Sequence, residues 1–468
     1  MNNLHPEIQP DNASRREFLK RASVLSVAGS AGLPLAMSLS AISEAAAATA
    51  TDYKALVCVF LNGGNDYANT LVPYDSTNYN SYVSLRSNIA IPQSSLIPTV
   101  LTPTTALPGG VKYALHPNLA KLLPIFNAGK LAPILNIGTL VQPITKAQWT
   151  SGKAVVPPKL FSHNDQQSYV QSFGVEGTTT GWGGRIGDLY AAGNGNSTFT
   201  CISVTGNAVF VSGQSAVQYQ VTPNGAVPIT GIKSALFGSA ACSSALRDLM
   251  IGARTNLFEN ESSKITSRAL TAGDQLTAGL ATAPAIATAF PANNWLGSQL
   301  KMVAKLISAR NTLGAKRQVF FVSTGGFDTH SDLLNQHASL MTNLNDALAA
   351  FYAATVELGI SDKVATFTAS DFGRTLVSND SGSDHGWGGV QFIMGGGVLG
   401  KSFVGTSPAF ANNGPNDVGQ GRLIPTTSVD QLASTLATWM GVSDSEQTVV
   451  LPNLKNFTTR NLGFMAAV

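Results

Sequence analysis

Phe320-Phe321-Val322-Ser323-Thr324-Gly325-Gly326-Phe327-Asp328-Thr329-His330 is an apolar, β-rich run that ends in two glycines and meets an acid and an imidazole at once. A strand that empties into a glycine turn presenting Asp-x-His is a device for delivering metal ligands. The same grammar recurs twice. Ala55-Leu56-Val57-Cys58-Val59-Phe60-Leu61 runs into Asn62-Gly63-Gly64-Asn65-Asp66, and Val364-Ala365-Thr366-Phe367-Thr368 runs into Ser370-Asp371-Phe372-Gly373-Arg374-Thr375. Open α/β sheets bind ligands just beyond the carboxyl ends of their strands. The expected class is therefore α/β, with a mainly parallel central sheet and helices on both faces.

Working outward, the helical spacing of Leu333, His337, Leu340, Leu344, Leu348 and Phe351 makes one apolar stripe behind the Asp-x-His turn. Leu296, Leu300, Val303, Leu306 and Ile307 make another ahead of it. A helix from His116 to Phe126 and a strand from Leu131 to Ile137 read as the completion of a first β-α-β pass. Short alternating runs around Val209-Phe210-Val211 and Val217 to Val221 predict a small antiparallel excursion. Residues from about 240 to 314 read as helical, with a surface helix, cap or arm between Thr271 and Ala289. Without a repeat or a linker, residues 49–468 are expected to form one domain, with insertions between about 198 and 290.

Only 12% of residues are charged, about half the usual share, and the net charge is +3. That balance excludes a nucleic-acid binder, which would carry a basic face. Ser14-Arg15-Arg16-Glu17-Phe18-Leu19-Lys20, a small-residue apolar run and an Ala-rich stretch from Ala45 to Ala50 read as a twin-arginine signal over residues 1–48. The expected partner is the twin-arginine export machinery, and the expected location is periplasmic or secreted. No later stretch approaches the ~20 apolar residues of a membrane span. Cys58 reads as a buried strand residue; Cys201 and Cys242 could pair in an oxidising compartment, and the sequence leaves that open.

Histidine is scarce. Of six, His163, His330 and His385 each lie within two residues of an aspartate in Gly- or Ser-rich loops, a donor pattern of zinc-type sites. His116, before Pro117, reads as a helix-entry residue, and His337 as core. Asp328 and Asp371 each end a strand, where ligation and helix capping compete. The Gly63-Gly64 pair reads as a close backbone approach to an anion or metal. Arg374 and Arg185 are candidates to grip an oxyanion, since a guanidinium fits phosphate or sulfate in two-pronged fashion.

The twin-arginine leader, Leu61 to Asp66, Phe161-Ser162-His163-x-Asp165, Gly325 to His330, Asp371 to Thr375 and Asp384-His385-Gly386 together resemble the DUF1501 family across nearly the whole mature chain. That family is similar to the alkaline phosphatase–sulfatase superfamily. The resemblance implies an alkaline phosphatase-like domain in which Asp328, His330 and His385 share one metal site. Asp66 and Asp371 would form a second or shared site, for one or two divalent ions among Zn, Mn, Mg and Ca. Superfamily phosphatases carry Asp-His where this chain has Asp371-Phe372, which shifts any second ion towards oxygen-only ligation. Ser162 is the candidate nucleophile. The expected activity is hydrolysis of phosphate or sulfate esters; the alternative is a degenerate member that binds an anionic glycan or envelope component without turnover.

Overall fold

The computed structural model describes residues 50–466, so the twin-arginine leader lies outside the described residues. Its centre is a nine-stranded sheet in the order Thr427–Ser428, Leu131–Gly138, Gly389–Met394, Val364–Ser370, Lys54–Leu61, Arg317–Thr324, Cys201–Ser203, Tyr219–Thr222 and Gly225–Ala226. Three adjacent members are β1 (Lys54–Leu61), β2 (Arg317–Thr324) and β3 (Val364–Ser370), all parallel. Every residue of β1 is buried. Continuous apolar sequence, rather than alternation, is what a strand covered on both faces requires.

Alternate β1 residues feed two cores. Val57 and Val59 pack with Leu300 and Val303 of α3 (Trp295–Ser308) and with Leu344 and Leu348 of α4 (Leu333–Glu357). On the other face, Leu56 and Phe60 join Tyr169 and Val170 of α1 (His163–Ser172), Trp182 and Ile186 of α2 (Trp182–Tyr190) and Leu432 and Leu436 of α5 (Val429–Met440). Helices thus cover both faces, as expected.

Register positions the site. Leu61 of β1 pairs with Thr324 of β2 and with Ser370 of β3, so the three glycine-rich loops leave the sheet side by side. Beyond β3, a two-stranded ribbon forms from β4 (Arg374–Ser378) and β5 (Ser383–His385), with Arg374 opposite His385. The chain then re-enters the sheet as β6 (Gly389–Met394), antiparallel to β3. An antiparallel strand begins at the edge where its neighbours end, which is why His385 arrives beside Asp328 and Asp371.

Two expectations fail. The Leu131–Gly138 strand does not neighbour β1; β6 and β3 stand between them. Val209–Val211 is a 3-10 turn, not a strand, because burial of Phe210 against the Trp182 ring, 4.7 Å away and edge-on, overrides β propensity. Only Tyr219–Thr222 and Gly225–Ala226 make the antiparallel piece. Cys201 is buried in its strand, Cys242 is exposed on the helix Ala240–Ile251, and all three cysteines are free. A second insertion helix, Leu257–Thr282, follows. Among the described residues no helix is long and apolar enough to cross a membrane.

Burial pushes the Asp430 carboxyl, at the start of α5, up to about 7. Its Oδ2 accepts from Ser428 Oγ at 2.8 Å, while its Oδ1 is buried without a partner. A carboxyl that holds its proton more tightly when folded contributes stability that is full below its unfolded pKa, about 4, and is lost as pH rises towards 7. Asp430→Asn is expected to raise the Tm at pH 8 and leave it nearly unchanged at pH 4, measured by scanning calorimetry.

Candidate metal centre

The loops bring four side chains to one point. His163, Asp328 and His385 each offer a ligand atom, all within 4.8 Å of one another. His330 borders them: its Nε2 lies 3.0 Å from Asp328 Oδ1 and 3.0 Å from His385 Nε2. His385 Nε2 is 3.2 Å from Asp328 Oδ1, and His163 Nε2 is 3.4 Å from Asp328 Oδ2. The Asp328 side chain is 45% exposed, so the cluster opens to solvent.

Each imidazole is oriented from behind. His385 Nδ1 faces the Phe161 carbonyl at 2.8 Å, which can only accept, so the neutral ring carries its proton there and turns a lone pair towards Asp328. His330 Nδ1 faces Asp384 Oδ1 at 3.2 Å with the same consequence. His163 Nδ1 lies 2.7 Å from Asp371 Oδ2, leaving a buried Nε2 that has no hydrogen-bond partner. Three lone pairs and a carboxylate therefore face one another with nothing between. Like partial charges at such distances repel, and a cation is what relieves them. With ligand bonds of ~2.0–2.1 Å, tetrahedral donors stand about 3.3 Å apart. The observed 3.0–3.4 Å separations match that spacing, so the residues fit a divalent ion.

Electrostatics follow from these partners. The hydrogen bond to Asp371 raises the His163 pKa above the ordinary imidazole value. Burial lowers that of His385, against the opposing pull of the Phe161 carbonyl. Burial works to raise the Asp328 carboxyl, yet the Arg374 guanidinium holds it below the usual range. Phe372 packs its ring 4.9 Å from that of His163 and 4.7 Å from that of His385, walling the two imidazoles from one side.

The structure brings Asp328, His330 and His385 together. The other expected site residues stand differently. Asp371 lies behind His163, not at the cluster: its Oδ2 accepts from His163 Nδ1, from Gly63 N at 3.1 Å and from Gln167 Nε2 at 3.1 Å, and its Oδ1 is buried without a partner. It neither caps a helix nor faces the solvent-open pocket. Asp66 is withdrawn entirely. It caps the short helix Tyr67–Thr70 and accepts from Asn69 N at 2.9 Å, from Arg86 at 2.6 Å and from Ser383 Oγ at 2.7 Å. Buried to 1% exposure and held by Arg86, the carboxylate is turned away from the cluster.

Arg374 is not a free clamp. It is 1% exposed, and it donates to Asp328 Oδ1 at 2.9 Å, to the Gly63 carbonyl at 2.9 Å and to the Ser383 carbonyl. Arg185 is likewise spent on the carbonyls of Val450, Thr180 and Ser172. Ser162 is the N-cap residue of α1 by position, but its Oγ donates to Asp165 Oδ2 at 2.8 Å instead of accepting from the backbone. The glycine pair also serves another end: at Gly63, φ is +116° and an added Cβ would sit 2.4 Å from Asp328 N. The loop thus approaches the Asp328 backbone rather than a ligand. His116 takes its expected place, its Nδ1 accepting from Asn118 N at 3.0 Å. His337 is buried, and burial lowers it to about 4.

His163 belongs to the histidine–aspartate pattern read from the sequence but not to the ligand set that the family resemblance implied. Its signal was present: a histidine two residues before an aspartate at a helix start. Its partner Asp371 is 208 residues away, and only the fold joins them.

A family model described as "Protein of unknown function (DUF1501)" matches residues 53–454. No curated protein matches the chain by sequence. Among solved structures, the lipoteichoic acid synthase LtaP from Listeria monocytogenes superposes with a TM-score of 0.35 at 10% identity, over 84% of this chain and 73% of that one. Ps i-CgsB in complex with k-i-k-neocarrahexaose gives 0.36 at 9%, over 87% and 77%. The PsFucS1 sulfatase from Pseudoalteromonas sp. gives 0.34 at 11%, over 92% and 77%. At such loose overlap none of them speaks for the chemistry of this chain.

The two aspartates should separate stability from binding. Asp66→Ala strands the buried Arg86 charge and is expected to cost about 3–5 kcal/mol in chemical denaturation. Asp328→Asn, which keeps an acceptor for Arg374, is expected to leave the denaturation midpoint nearly unchanged and to abolish zinc binding in a calorimetric titration.

Proposed function

Because the chain belongs to the DUF1501 family, whose function is unknown, its activity has to be read from its own site, and we propose that it is an exported, metal-dependent hydrolase of phosphate or sulfate esters. The observation that supports this most is the meeting of three imidazole Nε2 atoms and one carboxylate at the carboxyl edge of the sheet. Imidazole-rich donors suit zinc or a related first-row ion better than Mg or Ca. On this reading His163, Asp328, His330 and His385 hold the ion, and Asp371, Asp384 and the Phe161 carbonyl fix the rings that hold it. A bound divalent ion would polarise an ester oxygen as a Lewis acid.

The remaining work falls to the chain itself. Ser162 is the proposed attacking group. Its hydroxyl donates to Asp165 Oδ2, so the carboxylate is placed to receive the proton as Oγ bonds to phosphorus or sulfur and the bond to the ester oxygen breaks, the alcohol leaving with that electron pair; water then releases the phosphate or sulfate from Ser162 by the same displacement. Lys159 Nζ lies 3.4 Å from Asp165 Oδ1. Arg374 acts through Asp328, fixing its oxygens rather than touching substrate. A second reading, binding of an anionic glycan without turnover, draws support from that same withdrawal of Arg374. Export by the twin-arginine route to the periplasm or beyond belongs to the proposal and rests on Arg15-Arg16.

Elemental analysis of natively exported protein is expected to find one or two equivalents of metal. Zinc at 100 times its Kd should stabilise the fold by about 2.7 kcal/mol in thermal melts. The loaded protein should turn over at least one of aryl phosphate, bis-aryl phosphate or aryl sulfate, and Ser162→Ala should lose that turnover while retaining zinc. Zinc binding without turnover of any ester would leave the binding reading; neither metal nor turnover would end both.

Proton competition supplies a further check. Because Asp371 raises the His163 pKa, a proton competes with the ion up to a higher pH than an ordinary imidazole allows. Apparent zinc affinity should fall as pH drops through that raised value. Asp371→Asn should move the fall to lower pH, followed by calorimetric titration between pH 5 and 8.

A further inference from the structure

With Arg374 and Arg185 spent on carbonyls and Asp328, and Arg86 on Asp66, a site for anionic esters lacks its cation. One guanidinium beside the cluster is differently placed. Arg422 donates from Nε to the His385 carbonyl at 2.9 Å, and its guanidinium carbon lies 5.3 Å from the centre of the Phe161 ring. Both partners belong to the metal centre: the Phe161 carbonyl receives His385 Nδ1–H, and His385 Nε2 faces Asp328. Among the described residues, neither terminal nitrogen of Arg422 has a hydrogen-bond or ion-pair partner, and the residue is half-buried.

The fork is held firmly. Nε is tied, the plane is stacked on an aromatic face, and the backbone is fixed by a carboxylate turned inward. Asp417, 1% exposed, accepts from Asn413 N, Gly419 N and Gly421 N at 2.7–2.9 Å and so shapes the loop that carries Arg422. A guanidinium whose Nε and face are engaged loses little freedom when its two terminal nitrogens grip a ligand. Those nitrogens form a two-pronged donor, the match for two oxygens of a tetrahedral anion.

We propose that Arg422 is the residue through which this site recognises a tetrahedral oxyanion, its terminal nitrogens taking two non-bridging oxygens of a phosphate or sulfate group while His385, to which it is bonded, faces the ion. This rests on the hydrolase reading above and adds to it the group that confers specificity for charge. Arg422 donates hydrogen bonds and neutralises charge; no covalent step passes through it.

The test uses the full mature chain loaded with zinc, titrated calorimetrically with inorganic phosphate and, separately, with sulfate. Wild type should bind at least one, and the stronger of the two identifies the ester class. Arg422→Ala should weaken that anion at least tenfold and hold zinc within threefold of wild type. Arg422→Lys, which keeps the charge and the stem but not the fork, should fall between. Equal anion affinity in wild type and Arg422→Ala would overturn the assignment and leave the hydrolase reading standing. So would loss of zinc in step with loss of anion, which would make Arg422 a prop for His385 only. A zinc-loaded wild type that binds neither anion would overturn both.

Discussion

One buried guanidinium ties the site together. Arg374 leaves the end of β3 and reaches the Gly63 carbonyl on the β1 loop, Asp328 on the β2 loop and the Ser383 carbonyl ahead of His385. A charge buried to 1% exposure is tolerable only if it is paired and its protons are accepted. Meeting that demand pulls four separate loops into contact. The carboxylate it neutralises is the one around which His163, His330 and His385 gather, so fold stability and ligand placement share a single constraint. The parallel register of β1, β2 and β3 sets the loops side by side, and Arg374 sets the distance between them.

Close contact on this scale leaves no room for side chains. Gly382 stacks on the backbone of His330, where an added Cβ would stand 2.2 Å from its carbonyl carbon, and Gly63 stacks on Asp328. The glycines that read as a cradle for a ligand are instead the reason the ligand-bearing backbones can touch. Phe372 has a related part. Its ring separates the imidazoles from the interior and lies against the Cβ position of Gly64. An imidazole at that position would bring a further donor beside Asp371, whose Oδ2 is held by His163, Gly63 and Gln167 and whose Oδ1 is buried without a partner.

Much of this was legible in the chain. Fully apolar strands running into Gly-Gly-x-Asp are a local signal, and they located the carboxyl edge, Asp328 and His330; His385 was legible as a scarce histidine beside an aspartate. The helices α3 and α4 were legible from their stripes. What could not be read was the direction in which each carboxylate turns. Asp66 and Asp371 look like Asp328 in sequence, yet Arg86, 20 residues beyond Asp66, turns one inward, and His163, 208 residues before Asp371, claims the other. Phe210 behaves similarly: its run is β-like, but the space beside Trp182 decides its conformation. Pairings at such separations are properties of the folded chain, not of any window along it.

The reversed strand β6 has a consequence for how the protein comes to exist. Its neighbours present their last residues at the site, whereas β6 presents its first, and the residues that assemble there run from position 63 to position 422. No fragment emerging from synthesis can contain the centre, because Asp371, His385 and Arg422 are made after nearly every other element is in place. Any ion the cluster binds can be held only by the completed sheet, so its occupancy would report on whether folding finished.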